Sequence, residues 1–234
     1  VNASQPALSF DFKGDANGIY LGEMLRGLSG TNQFGGAVKV TIDGRLNAGG
    51  LSVRGAGTTS DQIKGSMAGG AQLSGHVFAG ADKTLQVLGS AATGAAAGVI
   101  DQTLGNLFGA AGQKAGVGVG NLLNAISLVL NRFVNHDSPI SGRVDIAGGV
   151  LTDKGLTVQG NKATAHIATR TNFGNSTTDT TISFTIAEDP SAPYLITTAR
   201  GSMSSPALNV VRGTAKDPPG MASTLPGAQQ PEQQ

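Results

Sequence analysis

The sequence predicts a mainly β (α+β) fold: a curved antiparallel sheet of two related halves, with a short N-terminal helix and an inserted helical pair. Three observations carry this expectation. A phrase of the chain occurs twice, apolar and polar residues alternate along much of its length, and one internal stretch abandons that alternation for a helical period. The phrase is Leu46-Asn47-Ala48-Gly49-Gly50-Leu51-Ser52-Val53-Arg54-Gly55, and it returns as Leu151-Thr152-Asp153-Lys154-Gly155-Leu156-Thr157-Val158-Gln159-Gly160. Each copy follows a Gly-x-Val-x-aliphatic run, from Gly36 to Val40 and from Gly142 to Ile146. The pattern reads as a strand–turn–strand unit that extends one sheet by repetition.

Leu8 to Lys13 alternate in polarity and predict a half-buried strand. Asn17 stands where a helix cap belongs. Behind it Ile19, Leu21, Met24, Leu25 and Leu28 recur at helical spacing, with Glu23 and Arg26 on the other side. This predicts an amphipathic helix over 18–28, stopped by Gly27 and Gly30. From Phe34 to Leu73 the text is strand-like, with Val38, Val40 and Ile42, then Leu51 and Val53, then Ile63 and Met67. Asp43-Gly44 supplies a turn signal, because glycine tolerates positive φ and the Asp carboxylate can bond its own backbone.

Residues 90–134 are rich in alanine and glycine. Ile100, Thr103, Leu104, Leu107, Phe108 and Ala111 form one helical stripe; Leu122, Leu123, Ile126, Val129, Leu130 and Phe133 form a second. The glycine-rich run Gly112 to Gly120 separates them. Asn121, Asn124, Asn131 and Arg132 interrupt the second stripe, which falls short of the roughly twenty apolar residues a membrane span requires. The pair has two readings: helices that pack on the sheet and close its core, or a lid over it. Beyond Pro139 the alternation resumes in Val144 and Ile146, Leu156 and Val158, and Ala163, Ala165 and Ile167. It continues in Ile182, Phe184 and Ile186, then Leu195, Thr197 and Ala199, with turns at 172–175 and 188–191. This is a meander of antiparallel strands. The expected organisation is one β domain over 1–216 with the helical insertion at about 90–134, followed by a disordered Pro/Gln-rich tail over 217–234.

The composition limits both core and chemistry. The 234 residues include 36 glycines, no cysteine and no tryptophan, and only 4% are aromatic. Val, Ile, Leu and Ala must therefore build the core, which favours a thin sheet over a thick globule. Sixteen basic residues face fifteen acidic ones, with no basic stripe, so neither nucleic acid nor an anionic membrane surface is an evident partner. Lack of cysteine excludes disulfides and thiolate metal sites. The first residue is Val and no charged start precedes an apolar run, so the expectation is a processed chain or a fragment.

Residues suited to catalysis are sparse. His76, His136 and His166 lie in three segments without metal-ligand spacing. Ser29, in Gly27-Leu28-Ser29-Gly30, misses the hydrolase nucleophile elbow by one position. Gly116-Val117-Gly118-Val119-Gly120 lacks the glycine spacing and the acidic partner of a dinucleotide loop, and no Gly-Lys-Ser/Thr follows Gly105, Gly109 and Gly112. Asp61, Asp82, Asp101 and Asp153 are dispersed. No enzyme, cofactor or metal is expected.

The order of elements carries a resemblance. It comprises a helix with a Gly-Ile-x-Leu start, a Gly-x-Val-x-Val strand, Leu-Ser-Val-x-Gly and a helical insertion. Ile140-Ser141-Gly142-Arg143-Val144-Asp145-Ile146, the second phrase, an Asn-Phe-Gly turn and Arg200-Gly201-Ser202-Met203-Ser204-Ser205-Pro206 complete it. Over residues 8–213 this resembles the C-terminal domain of the AsmA family of bacterial envelope proteins; the long Ala/Gly insertion departs from it. The resemblance implies a periplasmic protein held in the inner membrane by an N-terminal anchor that lies outside this chain, linked to outer-membrane assembly. It also implies handling of phospholipid along an apolar sheet face. Alternation alone nominates Val38, Val40, Ile42, Val144, Ile146, Ile182, Phe184 and Ile186 as the positions that meet lipid. The alternative is a structural or adhesive β-repeat module at the cell surface with no lipid ligand, which the low charge and Gly/Ser/Thr/Asn richness favour.

Overall fold

The computed structural model describes residues 7–29, 32–34, 40–81 and 119–219. Strand β1 (Leu8–Tyr20) runs directly into helix α1 (Leu21–Ser29), and a short strand β2 (Gln33–Phe34) follows. Next come β3 (Val40–Gly57), helix α2 (Ser60–Ser66) and β4 (Ala68–Ala81). Helix α3 (Val119–Phe133) precedes β5 (Asp137–Ala147), β6 (Val150–Gly160) and β7 (Ala163–Asn172). Three strands close the order: β8 (Thr177–Ile186), β9 (Leu195–Ser202) and β10 (Ala207–Arg212).

All these strands join one open, curved antiparallel sheet in the spatial order β1-β3-β4-β5-β6-β7-β8-β9-β10, with β2 beside β3. The order departs from the sequence only at β2; short connections join the strands from β5 to β10, whereas residues 82–136 separate β4 from its neighbour β5. The meander expected beyond Pro139 is present from β5 to β9, and β10 adds a strand that alternation did not announce. Helix α3 covers the second predicted stripe; the first, 100–111, lies outside the described residues. Of the predicted tail, 217–219 is described, and Asp217 accepts a hydrogen bond from the Tyr194 hydroxyl at 2.9 Å.

Four expectations are corrected. Asn17 is no helix cap, because β1 continues to Tyr20 and the helix begins at Leu21. Pairing of Ile19 with Leu46 prolongs the strand, and the Gly18 amide donates to Asn47 Oδ1 at 2.9 Å across the ladder. Asp43-Gly44 makes no turn; both residues lie inside β3, where Gly44 has φ 138° and a Cβ would fall on the His76 carbonyl oxygen. Close approach of β4 demands that glycine. Ile63 is helical, because Thr59 caps α2 by accepting from the Gln62 amide at 3.3 Å, and Gln62 Oε1 in turn accepts from the Thr58 amide at 2.8 Å. Thr59-Ser60-Asp61-Gln62 is a capping signal set within strand-like text.

The fourth correction concerns the repeat, which is not a strand–turn–strand unit. The first copy lies within one strand, β3, and the second lies in β6, after the hairpin that follows Ile146. What the copies share is a β-bulge at the same position. Gly50 and Gly155, the fifth residues of the two phrases, have φ of 58° and 71°. Pairing of β3 with β4 shifts between Gly49 and Ser52, and pairing of β6 with β7 shifts between Thr152 and Leu156. No atom would meet a Cβ at either glycine, so backbone conformation rather than space selects them. An aspartate satisfies each irregularity: Asp15 Oδ1 accepts from the Gly50 amide at 2.7 Å, and Asp153 Oδ2 accepts from the Thr169 amide.

Forcing an L-residue into this left-handed region costs about 1–2 kcal/mol. Gly50→Ala and Gly155→Ala should therefore each lose about 1 kcal/mol of unfolding free energy in urea titrations, and Gly50→Asn should lose less, because Asn tolerates that region. Alanine variants as stable as the parent would remove the bulge role.

Candidate functional site: the apolar face

In an antiparallel ladder, directly opposed residues point to the same side, and side chains alternate along each strand. The register therefore assigns each position to a face. Ile42, Leu46 and Ala48 of β3 oppose Ala79, Gly75 and Leu73 of β4. Gly75, Ala71 and Gly69 oppose Ile140, Val144 and Ile146 of β5. The same side continues through Leu156 and Val158 of β6, Ala165 and Ile167 of β7, and Ile182 and Phe184 of β8. It ends in Leu195 of β9 and Val210 of β10.

The opposite face carries Asp11, Arg54, Gln72, Arg143, Lys154, His166, Asp179 and Arg200, together with many Ser and Thr. Its large apolar exceptions among the described strands are Tyr20, Phe78, Val150, Ile196 and Val211. The two bulges maintain this segregation. Apolar residues fall on even numbers up to Ala48 and on odd numbers from Leu51; in β6 they change from Leu151 to Leu156 and Val158. Without the extra residue, every side chain beyond it would turn to the other side.

Two helices cover parts of this apolar face. Under α1, Leu21 packs with Leu46 and Ile140, flanked by Ile42, Val77 and Val158. Under α3, Ala125, Ile126 and Val129 pack with Ile186, Tyr194, Leu195 and Val210. Phe133 meets Phe184 edge to face, ring centres 5.5 Å apart. Arg132, at the end of α3, donates to Glu188 Oε1 at 2.8 Å and to the Lys162 carbonyl, fixing the helix to two turns of the sheet. Between the two clusters Leu73, Val144, Ile146, Leu151, Ile167 and Ile182 remain half-buried.

The nominated positions thus separate into groups. Val144, Ile146 and Ile182 occupy the middle of the face, whereas Ile42 sits in the α1 cluster. Phe184 packs under α3, and Ile186, only 1% exposed, is sealed there rather than open. Val40 begins β3 opposite Ala81, and Val38 lies outside the described residues. Leu73, Leu151 and Ile167 belong with the middle group; the change of phase at the β6 bulge hid Leu151 from strict alternation. A polar margin borders them. Thr169 and Thr180 lie 2.6 Å apart through their hydroxyls, and Thr171 and Thr178 lie 3.0 Å apart, all on the apolar side by register.

Two concavities lie elsewhere, one of about 350 Å³ beside Phe10, Arg54 and Ser66 and one of about 250 Å³ beside Lys162 and Pro190. The histidines do not converge: His76 Nδ1 is 3.0 Å from Asp137 Oδ2 on β5, and His166 Nε2 is 3.5 Å from Thr185 Oγ1 on β8. Among the described residues no group of three His, Cys, Asp or Glu is placed to hold a metal ion, and no helix is long and apolar enough to cross a membrane. Comparison of the chain with protein-family models, with characterised proteins and with solved structures gives no match.

Electrostatics fasten the periphery. Hydrogen bonds from Lys154 and then Arg143, each at 2.8 Å, hold the Asp145 carboxyl below its usual range. The Arg132 hydrogen bond does the same for Glu188, and the Ser191 hydroxyl with the Lys216 amide does so for Asp189. Burial, then the hydrogen bond to Asp217, pushes the Tyr194 phenol up to about 12. Its ring also lies 3.8 Å beneath the Arg212 guanidinium.

The signs differ. Carboxylates lowered in the folded state contribute stability above their unfolded pKa, and that contribution is lost as pH falls through the folded value. Tyr194, raised in the folded state, contributes below pH 10 and loses its contribution as pH climbs towards about 12. Thermal melts should accordingly weaken below the ordinary carboxylate range and again above pH 10. In Tyr20→Phe protein, which retains Tyr194 as its only tyrosine, tyrosinate absorbance should rise with a midpoint near 12. A midpoint of 10 would contradict the packing described.

Proposed function

We propose that this chain is a non-enzymatic protein of the bacterial envelope, of the AsmA type, that holds or conducts phospholipid along the apolar face of its sheet. One observation carries the reading: the register gathers the aliphatic residues onto one side, and six of them between the helical clusters stay half-buried. Acyl chains laid over Val144, Ile146, Leu151 and Ile182 would gain about 25 cal/mol for each Å² of apolar surface they dry. The threonine hydroxyls beside them offer hydrogen bonds to a polar headgroup, which favours an amphiphile over a plain hydrocarbon. Holding or sliding such a ligand requires shape and wetting but no reactive group.

The same reading takes the two halves of the sheet as related, supported by the matched bulges at Gly50 and Gly155. It places the protein on the periplasmic side of the inner membrane, with an anchor outside this chain, in support of outer-membrane biogenesis.

The test is mass spectrometry of lipid extracted from protein purified without detergent. Near-stoichiometric phospholipid is expected. Val144→Ser with Ile146→Thr keeps strand-compatible residues and removes about 60 Å² of apolar contact, which should reduce retained lipid about tenfold. Reproducibly empty protein would overturn the proposal in favour of a ligand-free structural or adhesive module.

A further inference from the structure

We propose that the outer edge of β1 pairs with β1 of a second copy of this chain, in antiparallel register about Phe12, to form a two-fold dimer with a continuous sheet. An edge strand exposes a row of backbone donors and acceptors, and proteins ordinarily protect it by shortness, a bulge, proline or charged side chains; those of β1, Asp11 and Lys13, have opposite signs. At the other edge of the sheet, β10 is a strand of 6 residues, whereas β1 has 13. Among the described residues only β3 pairs with β1. From Leu8 to Ala16 β1 contains no proline, and its own bulge comes later, where Asn17 and Gly18 face Asn47 alone.

The apolar side of this edge is also open. Leu8 is 67% exposed, Phe10 42% and Phe12 54%, a stripe of large apolar side chains of the kind that marks an interaction surface.

Charge and geometry identify the occupant. Phe12 is the midpoint of Leu8 to Ala16, the part of β1 that precedes its own extra residue (the shift between Gly14 and Ala16 adds a residue to β3 instead). A two-fold axis there pairs every residue of that segment with its counterpart. Phe12 then meets Phe12 of the second copy on the apolar side. On the polar side, Asp11 falls opposite Lys13 of the second copy, and Lys13 opposite its Asp11. Asp11 and Lys13 are more than half exposed and at present neighbour each other along the strand at 3.7 Å. Arg54 already lies opposite Asp11 on β3, so the dimer would extend an Arg54–Asp11–Lys13 row of alternating charge. An axis one residue earlier would set Asp11 against Asp11, which like-charge repulsion opposes. The sequence is thus self-complementary in one register, as an isologous interface requires.

Sedimentation velocity over a concentration series tests this. The parent protein should show a reversible monomer–dimer equilibrium. Asp11→Lys alone places a lysine against Lys13 of the second copy, and Lys13→Asp alone places an aspartate against its Asp11. Each should weaken dimerisation by about tenfold or more; thermal melts of Lys13→Asp should stay close to the parent, and those of Asp11→Lys should fall slightly because the new lysine also faces Arg54 on β3. Mixing the two variants restores both opposite-charge pairs, so a heterodimer should form where neither variant dimerises alone. Parent protein that stays monomeric throughout, or charge variants that dimerise as well as the parent and gain nothing on mixing, would overturn the proposal.

Discussion

The structure depends on the period of two in a β-strand and on the bulges that reset it. An open sheet built with so few aromatic residues has no thick interior, so its stability rests on keeping aliphatic side chains on one side across successive strands. β3 and β6 accomplish this with a glycine in the left-handed region and an aspartate that accepts a freed or displaced amide. A sheet that failed to make this correction would divide its apolar residues between two faces and bury neither. The duplicated phrase is therefore a duplicated correction of phase.

Much of this was legible in the sequence. β5, β7, β8 and β9 each show simple alternation bounded by turn residues, and each forms where that pattern predicts it; β6 alternates simply only after its bulge. The second helical stripe also appears as α3, with Ala125, Ile126 and Val129 as its packing face. These elements were readable because local pattern and tertiary role agree. The remaining errors lie where a local signal is overruled by a neighbouring strand. Asn17 has the chemistry of a cap and Asp43-Gly44 that of a turn, yet ladder pairing with β3 and β4 absorbs both. The capping box at Thr59 is present in the text but masked by apolar Ile63 and Met67.

For the candidate site, alternation found one face and could not find its cover. Ile186 and Phe184 obey the same pattern as Ile182, but α3 descends on the first two and leaves the third half-buried. Nothing in their own neighbourhood distinguishes them; the difference comes from the Arg132 bonds and from Tyr194, which fix where the helix lies. The threonine margin was visible only as composition, since its meaning depends on β7–β8 register. Two helix-covered clusters, half-buried aliphatic residues between them and a hydroxylated border are the features on which the proposed amphiphile site rests.

The most direct measurement of this account exploits the absence of native cysteine. Single cysteines placed in turn along β3, β5, β6 and β8 can carry a fluorophore, and quenching by brominated phospholipid then reports contact with acyl chains. The account predicts quenching with a period of two, strongest at Val144, Ile146, Leu151 and Ile182, weak at Arg143 and Thr181, and changing phase across Gly50 and Gly155. Quenching that is uniform along the strands, or that keeps one phase through both glycines, would contradict it.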